Sequence, residues 1–184
     1  EDFKYSVVFH NILVDFGIGG IHACTKQGVY KAKPEQIIID LDVASLYPSL
    51  AVTLGLYPEH LGPEFRDFYA NFVLTRLIEK SKPKEERNMV LIKGYKLICN
   101  GIYGKSGEET SWLYDKLYQL RTTIAGQLFV AMWAERLVEV IPNVKFLQKN
   151  TDGISIIVNK EDEWLVDQVN NDLTLLTGLT IEKN

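Results

Sequence analysis

Cysteine is nearly missing from this chain. Among 184 residues only Cys24 and Cys99 carry thiols, too few and too far apart for a disulfide framework or a zinc site, and the pattern fits a reduced, intracellular setting. Long apolar runs are missing too. No stretch of eighteen apolar residues occurs and no basic leader precedes an apolar core, so neither a membrane span nor a signal peptide is expected. Positive charge is not in excess: 20 Lys and Arg face 24 Asp and Glu, a net charge of −4. That balance argues against a protein that coats nucleic acid by neutralising phosphates. The first residue is not Met, which suggests an excised fragment. Gly17, Gly19 and Gly20 fall short of a dinucleotide-binding fingerprint, because the third spaced glycine and the long helix after it are lacking. What remains is a chain 46% hydrophobic, enough for one substantial core or a core with an appendage, without repeats or low-complexity segments.

The pattern along the chain mixes both periods. Residues Lys4 to Val14 alternate loosely, and the glycines at 17–20 read as a turn between strands. His22 and Cys24, two apart with no second pair, are expected to be packed side chains. Gln36 to Val43 carries Ile37-Ile38-Ile39 and reads as a buried strand. Alternation puts Asp40 and Asp42 on one face and Ile39 and Leu41 on the other. Such acids are either solvated at an ordinary strand end or form a landing point for a divalent cation. A short helix is expected over Leu50 to Leu56. Pro63 opens another, with Phe65, Phe68, Phe72, Leu74, Leu77 and Ile78 at helical spacing. After a charged turn from Lys80 to Arg87, a second helix is expected from Glu86 to Tyr103, with Met89, Val90, Ile92, Leu97 and Ile98 apolar, completing an αα-hairpin. Arg76 and Lys80 share a face of the first helix; Lys96, Asn100 and Tyr103 share one of the second.

A polar loop, Gly104 to Thr110, leads to a long helix from Asp115 to Val140. Its expected buried stripe is Leu117, Leu120, Ile124, Leu128, Ala131 and Leu137, broadened by Phe129 and Trp133. Val144 to Lys149 and Ile154 to Val158 are strand-like and flank Asn150-Thr151-Asp152-Gly153, a hairpin signal. An amphipathic helix over Glu161 to Leu176, with Leu165, Val169, Leu173 and Leu176 beside Trp164, is closed by Gly178. Leu179 to Glu182 starts another strand.

Three motifs, in order, resemble those of family B DNA polymerases, with a flavour similar to phage enzymes. Asp42-Val43-Ala44-Ser45-Leu46-Tyr47-Pro48-Ser49 resembles the first palm motif, Asp-x-x-Ser-Leu-Tyr-Pro-Ser. Lys96 to Gly104, KLICNGIYG, resembles the fingers motif Lys-x-x-x-Asn-Ser-x-Tyr-Gly. Asn150-Thr151-Asp152-Gly153 resembles the Asp-Thr-Asp-Ser turn, with Gln148, Asn150 and Gly153 where Tyr, Asp and Ser are usual. Gly19 and Gly20 match the glycines of a template-contacting Tyr-x-Gly-Gly segment, with Gly17 in place of its Tyr.

The resemblance implies an α+β fold: an antiparallel palm sheet backed by helices, plus a short helical-hairpin fingers subdomain. Residues 1–59 and 105–184 would be palm, and 60–104 fingers. It implies template-directed transfer of nucleotides from dNTPs to a primer 3′-hydroxyl in DNA replication, with primer-template DNA as partner, no membrane, and exonuclease and thumb domains elsewhere in the parent chain. The setting would be cytoplasmic, host cytoplasm if viral. Asp42 and Asp152 would be catalytic and would hold two Mg²⁺ ions, which Mn²⁺ could replace, with the Val43 backbone completing the site. Ser45, Leu46, Tyr47, Arg76, Lys80, Lys96 and Asn100 would bind the nucleotide. Tyr47 would lie under the deoxyribose; Tyr103, Gly104, Gly19 and Gly20 would contact the base pair or template. Two other classes share features with this pattern: a metal-dependent nuclease, which also pairs carboxylates, and a catalytically idle nucleic-acid-binding module.

Overall fold

A computed structural model describes residues 4–10, 12–26 and 28–184. The chain divides into two compact units, one from Glu1–Ala44 and Thr123–Asn184, the other Ser45–Thr122. Among the described residues, the first unit contains one sheet of seven strands with every neighbouring pair antiparallel. In spatial order these are β1 (Lys4–Phe9), β2 (Ile12–Gly17), β3 (Gly20–Cys24), β5 (Lys145–Lys149), β6 (Gly153–Asn159), β4 (Gln36–Val43) and β7 (Ile181–Lys183). With its helices this is an α+β fold, as the motifs implied.

Strand β4 has the bounds its isoleucine run suggested, and it is interior, paired with β6 along its length and with β7 at its end. One face of the sheet is core: Val14, Ile21, Ile39, Leu41, Val43, Ile154, Ile156 and Val158 are all buried. His22 and Cys24 differ from expectation. Both are exposed, because alternation on β3 gives the core to Ile21 and Ala23.

Helices back the sheet, and their expected stripes are buried only in part: Phe129, Trp133, Leu137, Val169 and Leu173 lie inside as expected, other positions do not. On α4 (Lys116–Val140), Leu117, Leu120, Ile124 and Leu128 are exposed, while Tyr118, Thr122, Phe129, Val130, Trp133, Ala134 and Leu137 are buried. Thr122 and Gln127 can occupy the inner line because their polar atoms are bonded there. Thr122 Oγ1 donates to the Tyr118 carbonyl (2.8 Å), and Gln127 Nε2 donates to the Gly17 carbonyl (2.5 Å). On α5 (Glu163–Thr177), Trp164 and Leu176 are likewise exposed, and Val166, Val169, Asn170 and Leu173 are buried. Asn170 Oδ1 accepts from the Trp133 indole at 3.0 Å, tying α5 to α4. Gly178, at φ 71°, closes α5 as its composition suggested.

The second unit is helical. Helix α1 (Leu46–Thr53) begins four residues before the expected start, and Pro48 sits in its first turn, where no intrahelical N–H is needed. Pro63 does open α2 (Pro63–Ser81). Helix α3 (Met89–Lys105) starts later than expected, because Asn88 Oδ1 accepts from the Leu91 N–H and caps it, leaving 84–86 as a 3₁₀ turn. Again the stripes hold in part: Phe65, Phe72 and Leu77 pack against the core and Ile92 is buried. Phe68, Leu74 and Ile78 on α2, and Met89, Val90, Leu97 and Ile98 on α3, are exposed. The fully buried core that Phe65, Phe72 and Leu77 pack on is Ala51, Tyr69, Val73, Cys99, Ile102, Leu113 and Tyr118. Tyr69 donates to the Cys99 carbonyl at 3.1 Å, joining α2 to α3. Burial pushes the Cys99 thiol up to about 11, so it remains an inert thiol.

Candidate functional site

In the sheet unit the two aspartates of interest meet through their backbones. Asp42, near the end of β4, faces Gly153 across the strand pair. Asp152 precedes Gly153 in the β5–β6 turn, which the Asn150 N–H closes by donating to the Gly153 carbonyl at 2.8 Å. The Val43 N–H donates to the Asp152 carbonyl, also at 2.8 Å. Asp42 and Asp152 are thus brought side by side through the pairings of their neighbours, Asp42 with Gly153 and Val43 with Asp152. Asp42 is half-buried and Asp152 exposed.

Gly153 explains itself sterically. A Cβ there would lie 2.7 Å from the Leu41 carbonyl oxygen and 3.3 Å from Asp42 Oδ1. A glycine at this position lets β4 come this close, and it locates the Asp42 carboxylate beside the turn. The other two departures bond to each other: Gln148 Nε2 donates to Asn150 Oδ1 at 2.7 Å. Asp40, on the same face, accepts from Ser155 Oγ on β6.

The sequence reading missed one acid. Glu182 on β7 is the register partner of Asp42 on its other side, so the two side chains share a face. The only sequence signal for it was a strand beginning near the last residues. Among the described residues no group of three or more His, Cys, Asp or Glu side chains is arranged to hold a metal ion. Glu182 therefore neighbours Asp42 on the sheet without completing a three-acid cluster with it and Asp152. On β2 and β3, Gly17 and Gly20 pair across a tight turn containing Gly19, and Gly20, at φ 139°, is buried.

The helical unit holds the remaining candidates. Ser45 takes a left-handed conformation (φ 55°) and its hydroxyl accepts from the Arg76 guanidinium, which is buried rather than solvated. Leu46 is buried. The Tyr47 and Tyr103 rings stack with centroids 4.4 Å apart and planes at 27°. Lys80 is half-buried, whereas Lys96 and Asn100 are exposed one turn apart on α3. Gly104 has open space where a Cβ would stand.

No family model matches the chain, and no curated protein sequence matches it. Among solved structures it is similar to the family B DNA polymerase from the hyperthermophilic archaeon Pyrobaculum calidifontis, with a TM-score of 0.59 and 14% identity over 87% of this chain. It spans 26% of the length of that polymerase chain. The likeness is one of fold.

Proposed function

We propose that this chain is the palm and fingers core of a template-directed DNA polymerase, with 1–59 and 105–184 as palm and 60–104 as fingers. The observation that carries the proposal is the 2.8 Å bond from Val43 N–H to the Asp152 carbonyl, which sets the turn aspartate beside the strand aspartate. The fold likeness supports it.

Asp42 and Asp152 fit a magnesium site in kind. Both offer only oxygen, and Mg²⁺ takes one or two carboxylates and completes its shell from substrate phosphates and water. When bound, two such ions would activate the primer 3′-hydroxyl and neutralise the triphosphate. The chain's own residues do the positioning. Asp42 and Asp152 would hold those cations. Lys96 binds the triphosphate tail, as phosphoryl transfer asks of a protein mainly placement and compensating charge. Arg76 fixes Ser45 at the start of α1, and Lys80 adds positive charge on α2. Tyr47, stacked on Tyr103, forms the floor under the sugar and leaves no room for a 2′-hydroxyl. Asn100 and Gly104 border the base pair, and Gly19 and Gly20 the template.

Primer extension with Mg²⁺ in the full-length protein tests this. Asp42→Asn and Asp152→Asn should each abolish incorporation, by several orders of magnitude, with circular dichroism unchanged. Near-normal extension by either variant removes the assignment, and degradation of the primer without extension favours a nuclease.

A further inference from the structure

Lys149, the last residue of β5, has no exposed surface. Its Nζ lies 4.2 Å from the centroid of the Phe9 ring and 4.2 Å from that of Phe146, and 3.5 Å from His10 Nδ1. His10 stacks on Phe146 with centroids 5.4 Å apart, and its Nε2 is 3.5 Å from Glu135 on α4. An ammonium has only donors, so His10 Nδ1 accepts and the imidazole proton sits on Nε2, facing Glu135. Burial, then the Lys149 charge, holds the His10 pKa below its usual value, which keeps the ring neutral. Two aromatic faces and one ring nitrogen thus replace the water of the ammonium.

A methionine could fill this space without losing hydration. What the ammonium adds is a direction, and the place where direction matters is one residue away. Asn150 opens the turn that carries Asp152, and the β5–β6 ladder shifts register between Phe146 and Gln148. A ladder with such an irregularity has more than one way to close. A further one-residue slip would turn Lys149 out of its cage and carry the turn with it.

We propose that Lys149 is a positioning residue: its ammonium, caged by Phe9, Phe146 and His10, sets the register of the β5–β6 turn and so holds Asp152 against Val43. The consequence for cation binding rests on the polymerase reading; the effect on the turn does not.

The test compares wild type with Lys149→Met, Lys149→Arg and His10→Asn in the full-length protein. His10→Asn suits the positive φ of 54° at that residue while removing the imidazole. Amide exchange at Asn150, Ile39 and Ile156 reads the turn against the sheet, a thermal melt reads folding, and Mn²⁺ titration by electron paramagnetic resonance reads the acids. Lys149→Met is expected to melt no lower than wild type, to lose protection at Asn150 while Ile39 and Ile156 keep theirs, and to bind Mn²⁺ about tenfold more weakly. Lys149→Arg should restore much of both, and His10→Asn should show a weaker form of the same loss, serving as the test if Lys149→Met does not fold. Unchanged Asn150 protection in folded Lys149→Met or His10→Asn overturns the proposal. Lost protection with Mn²⁺ binding absent even in wild type supports the role at the turn and sinks the polymerase reading alone.

Discussion

At Gly153 a single methyl group decides how near two strands come. Gly153→Ala, or the more usual serine, puts a Cβ 2.7 Å from a backbone oxygen that cannot move without moving β4. We expect either change to cost about 1–3 kcal/mol in urea unfolding, with Mn²⁺ affinity reduced as well. Gly104→Ala is the contrast: it sits in α3 with open space around it and should stabilise by about 0.5–1 kcal/mol. Lys149 makes a prediction of opposite character. Burial lowers its pKa from 10.5 to about 8. Between those values the unfolded chain holds a proton that the folded chain has released, so this residue adds stability as pH rises from 8 to 10.5 and adds none below 8. Melting curves over that range should rise less steeply with pH in Lys149→Met than in wild type. At the stacked tyrosines, Tyr47→Ala should admit ribonucleotides more readily, and Tyr103→Ala should show part of the same effect by removing the ring that steadies Tyr47. Unchanged sugar discrimination in single-nucleotide extension would count against the gate.

Among elements, the α2–α3 connection depends on one carboxylate. Glu79 Oε2 accepts from Lys82 Nζ (2.6 Å) and Oε1 from the Asn88 N–H (2.7 Å), so it binds the far end of the loop at the residue that caps α3. The Lys82 ammonium, then the Asn88 N–H, hold the Glu79 carboxyl below its usual 4.5. This support is complete above pH 4.5 and is lost as pH falls through the lowered value. The Asn88 amide resonance should therefore move on acidification below pH 4.5, and Glu79→Ala should move it at neutral pH. Nothing in hydropathy marks Glu79 as a buried side chain, and the same blindness explains the stripe positions that turned out exposed. Leu97 and Val90 are apolar at helical spacing yet 77% and 83% exposed, while Arg76, Glu79, Thr122 and Gln127 lie inside. Period finds a helix; which side faces inward depends on hydrogen-bond partners supplied by other elements. Strands were easier to read. β4 buries strictly alternate residues over Ile39–Val43, and side-chain direction on a strand leaves only two choices.

For the molecule as a whole, the antiparallel sheet, the αα-hairpin and the adjacency of Asp42 and Asp152 were legible from three motifs and two periodicities. Glu182, Lys149 and the reason for Gly153 were not, because each depends on which strand lies beside which. The two acids also differ in how they are held. Asp42 belongs to an interior strand bonded on both sides, whereas Asp152 belongs to a turn of four residues. On warming, such a pair comes apart from its weaker member: the turn can fray while the strand stays locked. On the proposed two-cation reading, binding should then fade several degrees before the sheet melts and return on cooling, so that heat would release the ions well short of denaturing the chain.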